Sequence, residues 1–237
     1  MKHIMSFQLE TWIKNQIQIW EESKKEIIKE DVLKPFITVS REYGCNINST
    51  VLALSEALNT AEDVDLWQAY DKDLLQKIHE DHEVNEMLLQ TIDTEKRKEM
   101  TELMRNMLTD YPPQVSAHIQ LIKTIRTLAI QGRKIFVGRA GVVITRDMKQ
   151  GLHLRMIAPL NYRINRVMEV QGIKDRHEAE KRVKEQDTIR HEFMTQYVKF
   201  DAHNPASYDL TINVERFSSE EIVELVVGAL KARNLIK

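Results

Sequence analysis

The sequence predicts an α/β protein built on a five-stranded parallel sheet. Three observations carry that expectation. Five short β-like runs are separated by helical patterns, the alternation that accompanies parallel pairing. Two of the runs, "FITV" and "KIFVG", are nearly continuous apolar stretches, as strands covered on both faces are. Glycine (7) and proline (5) are scarce in 237 residues, which favours long helices over elaborate loops.

Taken in order, residues 6–30 place Phe7, Trp12, Ile13, Ile17, Ile19, Trp20, Ile27 and Ile28 at mostly helical spacing. Pro35 marks a boundary, because the residue before a proline is biased away from the α region. Residues 1–34 therefore read as an N-terminal helical arm, packed on the domain or on a second subunit in a homo-oligomer. Residues 35–237 read as one domain. Its strands are expected at 36–40, 64–68, 134–138, 152–158 and 208–214. Its helices are expected at 50–59, 71–80, 94–109, 114–131, 160–171, 176–199 and 219–234. The charged stretch from about 70 to 113 reads as a helical insertion, and 160–199 as a second helical, charged segment.

The formal net charge of -2 offers no basic excess for a nucleic-acid partner. No apolar run is long enough to cross a membrane. The first residues show no apolar core followed by a small-residue cleavage site. One cysteine, Cys45, rules out an internal disulfide and fits a reducing compartment, the cytoplasm.

The stretch "FITVSREYGCNINST" has the strand, turn, helix layout of a phosphate-binding loop. Backbone N–H groups and a helix N-terminus hold phosphate there, with a lysine before the Ser/Thr. This stretch has one glycine, Gly44, and Asn48 in the place of the lysine. Ser49 and Thr50 could hold magnesium or cap a helix; an ordinary capped turn explains the pattern as well. Gly138 and Arg139 stand at the end of the third strand, where ligands of open α/β sheets bind. Arg139 is expected to face an open cleft between the two helical segments and to fork onto a phosphate; an ion pair with a local carboxylate such as Asp147 explains it as well. Arg163 and Arg166 share a helix face. With Arg155, Arg176, Arg182 and Arg190 they make an arginine-rich region, suited to closing over a phosphoryl group or to solvation. The histidines show no metal-ligand spacing; His79 and His82 lack a third partner.

In their order, "ITVSREYG", "YDKDLLQKI", "GRAGVVITRD", "LRMIAPLNYRINRVME", "AEKRVKEQDTIRHEF" and "YDLTINVERFSSEEIVELV" resemble the cytidylate kinase-like family of P-loop nucleoside monophosphate kinases, over roughly residues 35–232. The resemblance implies a three-layer fold with helical NMP-binding and lid insertions, ATP and Mg²⁺ as cofactors, and nucleotides as ligands. It implies phosphate-binding roles for Ser40, Gly44, Asn48, Ser49, Thr50, Gly138, Arg139, Asp187 and Arg190. It implies catalytic roles for Arg163 and Arg166 in the lid, Arg41 standing in for the missing cation, and Mg²⁺ on Ser49. The family's loop reads like Ser-Arg-x-x-Gly-Ser-Gly-Gly-Arg/Lys. Here Cys45 replaces a serine, Asn46 and Ile47 replace glycines, and Asn48 replaces the basic residue. Two functions follow as expectations. One is weak transfer of the ATP γ-phosphoryl group to CMP or dCMP. The other is non-catalytic binding of a nucleotide or phospholigand. A partner-binding domain that works through the arm is the third possibility.

Overall fold

The computed structural model describes residues 34–62, 67–71, 119–138, 140–192, 194–195 and 200–237. The N-terminal arm up to residue 33, the helices expected at 71–80 and 94–109, and Arg139 lie outside the described residues. The chain divides into two compact units: residues 1–34 with 73–132, and residues 35–72 with 133–237. Of the first unit the described part is Lys34 and the stretch 119–132, which includes helix α2 (Ile119–Gln131).

The second unit holds the sheet. Its strands are β1 (Phe36–Arg41), β2 (Gln68–Tyr70), β3 (Lys134–Val137), β4 (Gly151–Ile157) and β5 (Leu210–Asn213). All pairings are parallel, in the order β2-β3-β1-β4-β5. The first strand of the sequence is thus the middle strand. Its helices are α1 (Asn48–Glu62), α3 (Gly141–Thr145), α4 (Leu160–Gln171), α5 (Arg176–Glu192) and α6 (Ser219–Ala232). No described helix is long and apolar enough to cross a membrane.

Alternation along β1 divides the sheet into two faces. Ile37 and Val39 join Ile135, Val137, Leu152, Leu154, Met156 and Ile212 in one core. Leu54 and Leu58 of α1, with Ile222, Val226 and Leu230 of α6, belong to the same core. These positions recur every four residues along their helices, the period that puts them on one side. Ser218 and Glu221 start α6 with a reciprocal capping box, at 3.2 and 2.8 Å. The other sheet face is aromatic and polar. Phe36 packs edge-on against Phe136 and His153, and Thr38 Oγ1 lies 2.9 Å from His153 Nδ1.

Of the second strand, expected at 64–68, the described residues are Trp67 and Gln68, and the strand runs on to Tyr70. Trp67, expected inside it, comes just before Gln68, where pairing with β3 begins. The backbone of Trp67 is taken by side chains of α1: its N–H donates to Asn59 Oδ1 at 2.8 Å, and its carbonyl accepts from Ser55 and Asn59. Its indole Nε1 donates to Glu62, which also takes Arg133. The helix expected at 176–199 ends earlier, at Glu192, and Met194 and Thr195 continue in a wider π turn.

Candidate functional site

At the carboxyl ends of β1, β3 and β4 lies a cavity of about 360 Å³. Ser40, Arg41 and Glu42 from the end of β1, Gly138 and Ala140 after β3, and Arg155 of β4 form its floor and rim. Asp187, Ile189, Arg190 and His191 of α5 line it from above, with Met194 and His203.

Three guanidinium groups meet there. Arg41 points across Gly138: a Cβ built on Gly138 would lie 2.7 Å from Arg41 Nη1, so a side chain there would displace the guanidinium. Gly138 also needs its φ of 80°, which other residues rarely adopt. Burial, with the nearby charge of Arg190, pushes the Arg41 pKa down to about 10, and Asp71 acts in the opposite direction. Arg190 donates to the Arg41 carbonyl at 3.2 Å and lies over the Tyr43 ring, 5.2 Å from its centre. Its pKa is also lowered, chiefly by burial. Arg155 donates to Ser40 Oγ at 2.8 Å.

Among the described residues, the two carboxylates that line the cavity are already engaged. Asp187 Oδ1 accepts from the Tyr43 N–H at 2.9 Å, and Oδ2 pairs with Arg163. Glu42 accepts from the Ala158 N–H at 3.1 Å and faces Arg163 Nε at 3.4 Å. Arg163 also donates to the carbonyls of Ala158 and Tyr43. It is a buried clasp under the loop and does not line the cavity. Arg166 pairs with Glu169 along its own helix and does not line the cavity either. The expected site residues thus separate: Ser40, Arg41, Gly138, Asp187 and Arg190 come together, whereas Gly44, Asn48, Ser49, Thr50, Arg163 and Arg166 lie elsewhere.

The loop between β1 and α1 is fastened at several points. Gly44, at φ 88°, lies against α4 so closely that a Cβ would meet the Arg163 carbonyl at 2.8 Å. Cys45 and Ile47 sink into the core at 4% and 1% exposure. Asn48 and Ser49 are exposed, and the Thr50 hydroxyl bonds Ser219 at 2.7 Å. Measured against ATP and Mg²⁺, these residues do not fit. A triphosphate cradle needs free loop N–H groups, glycine backbone and a cation. Here a carboxylate occupies the Tyr43 N–H, branched bulk sits at Ile47, and position 48 is neutral. Among the described residues no three of His, Cys, Asp and Glu gather as metal ligands.

Burial pushes the Cys45 thiol up from 9.0 to about 12. The folded chain keeps this proton where the unfolded chain loses it, so this group's contribution to stability is present below pH 9 and is lost between about pH 9 and 12. Cys45 is expected to react with a thiol reagent at pH 8.5 at least a hundredfold more slowly in the folded protein than in denaturant. Equal rates would mean that the loop opens freely.

Sequence reasoning grouped Arg155 with the arginines that follow it and gave no role to His191, His203 or Tyr208. A signal for Arg155 was present: a charge inside a parallel strand buried on both faces has to meet something.

The profile of the cytidylate kinase-like family matches residues 36–216. The solved structure of an uncharacterized protein from Eubacterium ventriosum is similar over 84% of this chain and 99% of its own, with a TM-score of 0.64 and 19% identity, a likeness of fold alone. A curated relative, the uronate isomerase of Corynebacterium glutamicum, is 33% identical over 99 residues, 42% of this chain. The chain spans 19% of the length of that relative.

Proposed function

The chain belongs to the cytidylate kinase-like family, and from that premise we propose that it binds a nucleoside monophosphate or a similar phosphorylated small molecule in the arginine-lined cavity. In this reading its phosphate rests on Arg41 and Arg190, and transfer of a phosphoryl group from ATP is slow or absent. The observation that carries the reading is the imbalance of charge. Guanidinium groups converge at the strand ends, while Asp187 and Glu42, the described carboxylates that line the cavity, are already held by Arg163, and Asp71 offsets part of the charge of Arg41. An anionic ligand relieves that imbalance. Ile189 and Met194 offer an apolar wall to the rest of the ligand. The second reading is a CMP or dCMP kinase that uses ATP and Mg²⁺. It is favoured by the position of Arg41 at the entrance to the loop, where its charge could replace the missing cation.

Calorimetric titration with CMP, then with ATP–Mg²⁺, separates the two. CMP without measurable ATP binding supports the first reading; tight ATP–Mg²⁺ binding supports the second. Failure of both ligands to bind removes the nucleotide site. Arg41→Ala is expected to weaken CMP binding by about 10- to 100-fold, as charge-assisted hydrogen bonds contribute about 1.5–3 kcal/mol. The same variant should melt no lower than the parent, because it removes a partly buried charge that faces Arg190. Unchanged CMP affinity would place the phosphate elsewhere.

A further inference from the structure

Arg190 lines the cavity and Tyr43 does not, yet Tyr43 is what Arg190 rests on. The guanidinium lies over the ring face, 5.2 Å from its centre, within the range of a cation–π contact. Arg190 Nη1 also donates to the Arg41 carbonyl at 3.2 Å. Both supports come from the end of β1 and the loop after it.

A carboxylate more often fixes an arginine. Asp187 stands three residues earlier on α5, one turn away, and its charge acts on Arg190. Its two oxygens are engaged elsewhere, Oδ1 with the Tyr43 N–H at 2.9 Å and Oδ2 with Arg163. Among the described residues no carboxylate forms an ion pair with Arg190. An arginine without a carboxylate keeps its donors for a ligand. It also keeps its rotamer freedom, which a ligand must then remove, unless another group holds it.

Tyr43 is itself fastened at every polar atom. Its N–H donates to Asp187 of α5, its carbonyl accepts from Arg163 of α4 at 3.1 Å, and its hydroxyl accepts from Gln171 Nε2 of α4 at 2.7 Å. Its ring packs on the apolar cluster of Ile164, Val167, Ala179 and Val183 that α4 and α5 share. Any residue could supply the amide and the carbonyl. The ring and the hydroxyl are what tyrosine adds, and together they set a flat π face under Arg190. A guanidinium laid on such a face has its N–H donors in its own plane, at the edge.

We propose that Tyr43 is a positioning residue of the ligand site: its ring holds the Arg190 guanidinium flat, with edge donors ready for an anion, before any ligand arrives. This rests on the reading that Arg190 meets the phosphate of a ligand in this cavity, and the test tells the two apart.

CMP is titrated calorimetrically into the full chain and its variants. Tyr43→Leu keeps apolar bulk and loses the ring; affinity should fall about 3- to 30-fold, the span of cation–π contacts from exposed to desolvated. Tyr43→Phe restores the ring without the bond from Gln171 and should recover most of that loss. Arg190→Gln should weaken binding about 10- to 100-fold, and adding Tyr43→Leu to it should cost nothing more. An equal loss from Tyr43→Leu in both backgrounds overturns the proposal, as does Tyr43→Phe binding as weakly as Tyr43→Leu; either result leaves the cavity reading standing. No CMP binding by the unaltered chain overturns the cavity reading and the role of Tyr43 with it. A second measurement decides if Tyr43→Leu does not fold. Protons over an aromatic face resonate upfield. In NMR spectra of the unaltered, ligand-free chain the Arg190 side-chain signals, identified by their loss in Arg190→Gln, should lie upfield of those of other arginines and stay there when CMP is added. Arg190 signals at ordinary positions in the ligand-free chain overturn the proposal.

Discussion

Phosphoryl transfer from ATP to CMP or dCMP by this chain is expected to run at least a thousandfold below the roughly 1–100 s⁻¹ of ordinary kinases. Two features of the loop combine to give that figure. Asn48 is neutral and exposed where a cation would meet the developing charge, and the loss of one such preorganised group costs about 10²–10³ in rate. Asp187 adds a second penalty, because its carboxylate already takes the Tyr43 N–H, a donor that is then not free for an incoming phosphate. A coupled assay of nucleoside diphosphate formation with purified full-length chain measures it. A turnover in the ordinary range would show that Arg41 supplies the missing charge, and the kinase reading would then replace the binding one. Asn48→Lys alone is not expected to restore the rate, since it leaves Ile47 and Asp187 where they are.

Rebuilding the glycine at position 47 is expected to damage the fold instead of repairing catalysis. Ile47 is 1% exposed and belongs to the same core as Leu54, Leu58 and Val226. Its removal forfeits a buried aliphatic side chain and leaves a void, at about 2–5 kcal/mol. The glycine adds about 0.5–1 kcal/mol of backbone entropy. Ile47→Gly should therefore melt about 5–24 °C below the parent, at the 2–4 °C per kcal/mol usual for a chain of this size. Asn48→Lys, on an exposed position, should leave the melting temperature within about 1–2 °C. A full-stability Ile47→Gly protein would mean that the loop is not anchored in the core.

The sheet was legible because β1, β3 and β4 carry apolar runs that only a doubly covered strand needs, and helix spacing located α1, α4 and α6 within a few residues. The start of the second strand was not, because Trp67 is an indole buried at 1% exposure whose backbone is held by Asn59 and Ser55 instead of by a neighbouring strand. The site was legible in part. Arg41, Asp187 and Arg190 could be named from motifs and they share the cavity. Their partition could not be read, because whether Arg163 faces a ligand or a carboxylate depends on Glu42 and Asp187, which lie 121 and 24 residues from it in sequence. Helix-face spacing grouped Arg163 with Arg166, but tertiary ion pairing sends them to different partners.

The place of β1 in the middle of the sheet has a consequence for biosynthesis. Ile37 pairs with Ile135 on one side and Leu152 on the other. Both neighbours leave the ribosome roughly a hundred residues later, which at about 5–20 residues per second is a delay of some 5–20 s. Throughout that interval the most apolar strand of the nascent chain has neither edge paired, and the same hydrophobic sequence that later organises the core is the segment most in need of a chaperone.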